Sequence, residues 1–464
     1  MNVRKMLAVI AAIAALNGAF FIHYQAPDWS TEWSDQEGYK RLGRSLAETG
    51  QFTRYPESPT FVPEVIRTPG YPLFVAGIYK LFGPSQIAVA IAQAALFVAI
   101  AVMVFAIARC CTTTKIALAA SALTAAYPTL PYYGALVMTE LWTAFVLTAA
   151  FVFAFRARRT GARRDYVATG VLLGVAALSR PAFVLLPFAI FGVGALLFWR
   201  DFRRIVQPWA LVIGVFLLML VPWLAFNYSV IGRVALAPAG GVGRGLWEGS
   251  WQGRWPGRLH NELTHLAADT PETETLDARV DRLAADNGFD PVPMRTYVHQ
   301  WRELRQIWDA PTDPQERAAA RIKADEEYRR VALENIRADL AGHIRRRLSI
   351  GTFVLWDADI PLRYSEINST SPLLIRTFWS AQVVLVLLAV WGTICLINQG
   401  RLTDAWILVT PLLYVTAVHV PLLTEARQSL PVKPLLLIAA AIGGADLWQR
   451  LLPLKAQVHE RQHV

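Results

Sequence analysis

Apolar residues run along the chain in long blocks separated by short polar breaks, without the alternation of a half-buried strand. A helix needs about 20 apolar residues to cross a bilayer, fewer where neighbours or kinks help, and the first such block is 6–24. Further blocks lie at 84–108, 116–133, 137–155, 166–179, 182–199, 206–226, 376–397, 405–422 and 432–447. The first is longer than the core of a signal peptide and precedes no small-x-small cleavage site, so it is read as a span. The pattern predicts an all-α polytopic membrane protein with about ten transmembrane helices.

Two stretches, 25–83 and 229–375, are too long to be simple connections between spans. They divide the chain into an N-terminal membrane module (1–228), a mostly helical insertion (229–375) and C-terminal spans with a tail (376–464). In the first stretch Ser34 and Glu37 have the spacing of a capping box. The helix they open carries Tyr39, Leu42 and Leu46 on one apolar stripe and ends near Gly50, which predicts an amphipathic helix at the membrane surface. Next, Pro69, Gly70 and Pro72 enforce a turn into an apolar piece, 73–82, too short to span. The insertion begins rich in Gly and Trp (Trp247, Trp251, Trp255). Asp313, Pro314 and Glu316 then open a helix expected to reach Leu348, with Ile336, Leu340, Ile344 and Leu348 on its buried face.

Charge fixes the expected orientation. With the N-terminus inside, behind Arg4 and Lys5, the inside loops hold Arg109 and Lys115, then Arg156, Arg158, Arg159, Arg163 and Arg164, then Arg200, Arg203 and Arg204, then Arg401. The chain is 54% hydrophobic and 17% charged, with net charge +10, so its basic excess reads as a topology signal rather than a nucleic-acid footprint. Cys110, Cys111 and Cys395 lie at inner helix ends and show no metal-ligand or disulfide spacing.

The remaining ionisable residues of interest fall on the opposite, outer side. Asp35 lies on the apolar stripe of the surface helix. It either complements the helix dipole or serves as a general base whose proton affinity burial can tune. Glu140, at the outer end of the fourth span, either reaches the interface or marks a functional site. Arg67, Arg180, Arg427 and Lys433 gather on the same side, where they suit either lipid headgroups or the phosphate of a ligand. A base beside a cationic cradle is what transfer from a lipid phosphate sugar requires: the acceptor hydroxyl must lose a proton and the departing phosphate gains charge.

The order of Asp35-x-x-x-Tyr39, Arg67-Thr68-Pro69-Gly70-Tyr71-Pro72, Met138-Thr139-Glu140, Ser179-Arg180-Pro181 and Pro222-Trp223 with Asn227 resembles the GT-C superfamily of polyprenyl-phosphate-sugar glycosyltransferases. The likeness is to the branch of the bacterial protein O-mannosyltransferases and aminoarabinose transferases. It implies a GT-C-like bundle and an inverting transfer to a hydroxyl of a glycan, lipid or protein on the extracytoplasmic face of the bacterial inner membrane. Asp35 matches the catalytic aspartate, Glu140 the second acidic position, and Arg67 and Tyr71 the turn beside the donor phosphate. Tyr39, Arg180, Arg427 and Lys433 complete the expected substrate-binding set. No metal ligand is assigned, although some relatives use a divalent cation. Gln36 separates Asp35 from Glu37 where many relatives have adjacent Asp-Glu, and Gln428 follows Arg427 where many have Tyr. The rival is a transporter or flippase of a lipid-linked sugar, which would more often place ionisable groups near the midplane.

Overall fold

The computed structural model describes residues 2–30, 34–270, 273–309, 311–367 and 369–461, and its regular elements there are all helical. The N-terminal part runs α1 (Val3–Gln25), α2 (Ser34–Thr49), α3 (Gly70–Phe82), α4 (Gln86–Cys111), α5 (Thr114–Ala126), α6 (Thr129–Gly134), α7 (Thr139–Thr160), α8 (Arg163–Ser179), α9 (Leu186–Leu197), α10 (Phe202–Ile205) and α11 (Trp209–Ile231). The insertion holds α12 (Val242–Trp251), α13 (Gly257–Asp269), α14 (Thr273–Asn287), α15 (Pro291–Asp309), α16 (Pro314–Ala338) and α17 (Leu340–Arg346). Short helices α18 (Thr352–Trp356) and α19 (Tyr364–Ile367) lead to α20 (Pro372–Asn398), α21 (Leu402–His419) and α22 (Lys433–Arg461).

The chain is a multi-pass membrane protein. Among the described residues seven helices are long and apolar enough to cross a bilayer: α1, α4, α7, α11, α20, α21 and the run Ala426–Leu451. Pro181–Leu197 and Trp199–Ile205, bent by 101°, make up to eight. The difference from about ten has a local cause. The block 116–133 breaks before Pro128, where Tyr127 is extended (φ −70°, ψ 116°) because a residue preceding proline is crowded out of the helical region. The block 166–179 forms α8, which stops at Arg180 for the same reason before Pro181.

One core joins α1, α4, α5, α7, α8, α9, α11, α21 and α22. Helices α20 and α22 approach so closely that a Cβ on Gly392 would lie 2.0 Å from the Ala439 carbonyl oxygen, a backbone contact that small residues permit. The insertion has a second core built on Trp247, Trp251, Trp255, Tyr297, Trp308 and Tyr328. These tryptophans therefore pack rather than line a surface.

The predicted helix 313–348 is corrected. Helix α16 ends at Ala338, Asp339 leaves helical geometry (φ −143°, ψ 58°), and its side chain recaps the next helix by accepting from the Gly342 N–H at 3.1 Å. Leu340, Ile344 and Leu348 face outward, Leu348 at 67% exposure, while His343 and Arg347 are buried. An apolar stripe beside a membrane marks lipid-facing surface as readily as core, so periodicity assigned the wrong side.

Candidate active site

Helix α2 carries the first carboxylate and is locked from three sides. Gly50 (φ +72°) ends it in the left-handed region that favours glycine. Gly43 lets α3 approach, since a Cβ there would meet Val75 Cγ1 at 2.5 Å. Gln36, buried, accepts hydrogen bonds from the Val137 N–H at 3.0 Å and from Gln86 Nε2 at 3.3 Å, tying α2 to the segment before α7 and to α4. The side chain of Ser34, and with it the predicted capping box, lies outside the described residues; Glu37 pairs with Arg41 at 2.8 Å.

Arg67 reaches α2 from the turn before α3. Its backbone N–H donates to Glu64 at 3.1 Å, and Glu64 also holds Arg54 in a buried ion pair. The Arg67 guanidinium lies 4.9 Å over the Tyr39 ring and 3.3 Å from Asp35 Oδ1. It fits there because residue 38 is glycine: a Cβ would sit 2.4 Å from the guanidinium carbon. Tyr39 meets Tyr71 edge-on at 5.1 Å, and the buried Tyr71 hydroxyl donates to Gln93 at 3.3 Å.

Arg427 comes from the far end of the chain, on a 3-10 turn (Ala426–Val432) whose start is fixed by reciprocal bonds between Glu425 and Gln428. Both its terminal nitrogens stand 3.3 Å from Asp35 Oδ2, and its Nε donates to Glu425 at 3.0 Å. Nη1 is also 3.8 Å from Glu140. Glu140 lies in the first turn of α7 and is 2% exposed, with Arg180 at 3.4 Å. Its second oxygen has no hydrogen-bond partner among the described residues.

Seven expected residues thus converge: Asp35, Tyr39, Arg67, Tyr71, Glu140, Arg180 and Arg427. Lys433 does not join them. Fully buried, it donates to the Trp356 carbonyl at 3.0 Å and to Gln382 at 3.3 Å, anchoring the end of the turn that carries Arg427. Reading the sequence alone missed Gln36, Gly38, Glu64 and Glu425. Only the Glu425-Gln428 spacing, a capping pattern, signals any of them in advance.

Burial alone would raise the proton affinity of Asp35, but the guanidiniums of Arg427, Arg67 and Arg244 outweigh it and hold the carboxyl below its ordinary value. Among the described residues no group of three or more His, Cys, Asp or Glu side chains is arranged for a metal ion. Asp35 and Glu140 each face arginines, so this donor set does not fit a divalent cation.

Residues 66–226 match the family described as dolichyl-phosphate-mannose-protein mannosyltransferase. The chain as a whole has the GT-C fold. That fold is shared with the oligosaccharyltransferase AglB of Archaeoglobus fulgidus in complex with an inhibitory peptide and a dolichol-phosphate (TM-score 0.52, 12% identity, 98% of this chain and 52% of that one). A second structure of that enzyme, tethered with an acceptor peptide, gives 0.53 at 13% identity over 98% and 50% of the two chains. The chain therefore spans about half the length of these proteins. ArnT from Cupriavidus metallidurans bound to undecaprenyl phosphate gives 0.41 at 16% identity over 97% and 80%. No curated protein sequence matches significantly. The basic loops of this GT-C bundle meet at the end remote from the insertion: Arg159 and Arg401 both bond the Cys110 carbonyl, and Arg158 pairs with Asp404.

Proposed function

We propose that this protein is a glycosyltransferase that moves one sugar from a polyprenyl-phosphate carrier to a hydroxyl acceptor at the insertion face of the membrane, with inversion. The observation that carries the reading is one carboxylate, Asp35, held between two guanidiniums from distant segments at 3.3 Å each. An apolar cavity of about 500 Å³, lined by Phe52, Phe61, Pro69, Leu73, Trp223 and Phe226, lies along the turn that follows Arg67 and suits the first units of an isoprenoid chain. The matched family is described by a dolichyl-phosphate-mannose donor, and AglB was solved with a dolichol-phosphate, which supports a lipid phosphate as ligand.

In the proposed reaction the acceptor oxygen forms a bond to the anomeric carbon while its proton passes to Asp35. The bond from that carbon to the phosphate oxygen breaks on the opposite face, and the electron pair leaves on the polyprenyl phosphate. Arg67 and Arg427 meet its growing charge. The lowered proton affinity of Asp35 belongs to the ligand-free pairing. A phosphate docked between Arg67 and Arg427 competes for the same N–H donors and returns basicity to Asp35 as the acceptor needs it. Glu140, oriented by Arg180, offers its unpartnered oxygen to a substrate hydroxyl, and the insertion shields the site from water that would hydrolyse the donor.

The test is transfer of label from polyprenyl-phosphate sugars to a membrane extract by the purified protein. Asp35→Asn, folded and still binding the donor lipid, should lose about 10²- to 10⁴-fold in rate. Unchanged transfer would remove Asp35 as the base. A wild type inert with every donor would favour the transporter.

A further inference from the structure

Helix α12 touches both the insertion core and the segment leading to Arg427, and each of its faces but one has an evident packing role. Gly243 presses on α16: a Cβ there would lie 1.8 Å from the Asp325 carbonyl oxygen, and the N–H groups of Gly243 and Arg244 both donate to the Asp325 carboxylate at 3.2 Å. Gly245 and Gly249 face the segment leading to Arg427. The Gly245 carbonyl accepts from the Leu423 N–H at 2.6 Å, and a Cβ on Gly249 would sit 2.6 Å from the Leu422 carbonyl carbon. Trp247 and Trp251 fill the insertion core. A latch keeps this helix in place: the buried Arg347 donates to Gln252 at 2.8 Å and to the Leu422 carbonyl at 2.6 Å, while Gln252 Nε2 donates to the Thr424 carbonyl at 2.8 Å.

The face left over carries Arg244 and Glu248, one turn apart and paired at 2.9 Å, with side chains 41% and 25% exposed. Nothing in the packing of α12 requires this pair. Its place follows from the chain of contacts: Gly245 holds Leu423, Glu425 holds Arg427, and Arg427 holds Asp35. Arg244 also contributes to the positive field at Asp35. The pair therefore lies on the insertion side of the Asp35 carboxylate, near enough for the Arg244 charge to act on it.

We propose that Arg244 and Glu248 form the sugar-reading roof of the site, binding vicinal hydroxyls of a neutral sugar ring. The inference rests on the glycosyltransferase reading above. A carboxylate accepts two hydroxyl protons and a guanidinium donates in fixed directions, so an Arg-Glu pair presents both halves of hydroxyl recognition without net charge. Such a pair discriminates epimers because a misplaced hydroxyl leaves one of its groups unpaired. The sugar can belong to the donor or to an acceptor glycan.

The experiment compares full-length wild type, Glu248→Gln and Arg244→Lys with polyprenyl-phosphate mannose, glucose and galactose. Each donor is assayed by transfer to a membrane extract and by hydrolysis without acceptor, and the thermal midpoint of each variant checks its fold. The expected result is that Glu248→Gln changes the kcat/KM ratio between epimeric donors by about tenfold or more, mainly through KM. Should Glu248→Gln not fold, Arg244→Lys carries the same reading. A changed donor ratio in both hydrolysis and transfer assigns the roof to the donor sugar, and an unchanged donor ratio with a raised acceptor KM in transfer assigns it to the acceptor. Ratios and KM values equal to wild type in both assays overturn the proposal. A wild type that turns over none of the donors overturns the glycosyltransferase reading beneath it.

Discussion

One helical turn along α2 from Asp35, the absent side chain of Gly38 leaves the room in which Arg67 meets that carboxylate. The Arg67 guanidinium occupies the space a Cβ would need, so Gly38→Ala should fold, displace Arg67 and cut transfer by about a hundredfold. A rate within twofold of wild type would show that Arg67 need not stand there. His343 makes a separate prediction, about pH. Burial first, then the neighbouring Arg347 and Arg346 charges, push its pKa from the ordinary 6.5 down to about 4. The folded state thus keeps His343 neutral where the unfolded chain takes up a proton. Its contribution is fully present above pH 6.5 and is lost as pH falls toward about 4. His343→Gln should flatten the pH dependence of the thermal midpoint across that window, and an unaltered slope would count against this account. Asp35, Glu140, Arg67, Arg180 and Arg427 were legible as individual candidates because a charge among apolar residues is conspicuous. Gly38 and Gln36 were not, since nothing about a glycine or glutamine in an amphipathic helix announces what will pack on it.

Among the elements, proline explains most departures from simple hydropathy. Pro128 and Pro181 break apolar blocks into pieces whose ends, Tyr127 and Arg180, take extended geometry and turn toward the site or its neighbours. The contact between α20 and α22 shows the opposite economy, with Gly392 and Gly443 giving backbone contact where larger residues would hold the helices apart. Gly392→Ala places a Cβ 2.0 Å from the Ala439 oxygen and should destabilise the detergent-solubilised protein by about 1–3 kcal/mol, read as a lowered thermal midpoint. A midpoint equal to wild type would mean that the pair can separate at no cost. The amphipathic α2 and its end at Gly50 were readable from stripe and glycine. The break at Asp339 was not: Leu340, Ile344 and Leu348 keep a helical period on either side of it, and period alone does not say whether an apolar face meets protein or lipid.

For the molecule as a whole, the bundle separates two faces, one carrying the basic loops and the other the site and insertion. The charge asymmetry predicts the insertion outside. In a cysteine-free background, Lys323→Cys on α16 should react with an impermeant maleimide on intact cells, whereas Arg203→Cys on α10 should react only after permeabilisation. The reverse labelling would invert the orientation and place the chemistry in the cytoplasm.

Hydropathy, charge and turn residues by themselves determined an all-helical, multi-pass chain, two long segments between spans and a short set of ionisable candidates. These are properties of single segments, because a bilayer demands apolar length and internally satisfied backbone wherever the chain crosses it. Which candidates form one site was decided by tertiary structure. Asp35 and Arg427 stand 392 positions apart and meet at 3.3 Å, while Lys433, six residues beyond Arg427, turns into the bundle. Helix and turn geometry within a segment follows local sequence. The direction in which a long side chain finds its counter-charge depends on every helix packed around it, and that arrangement exists only in the folded molecule.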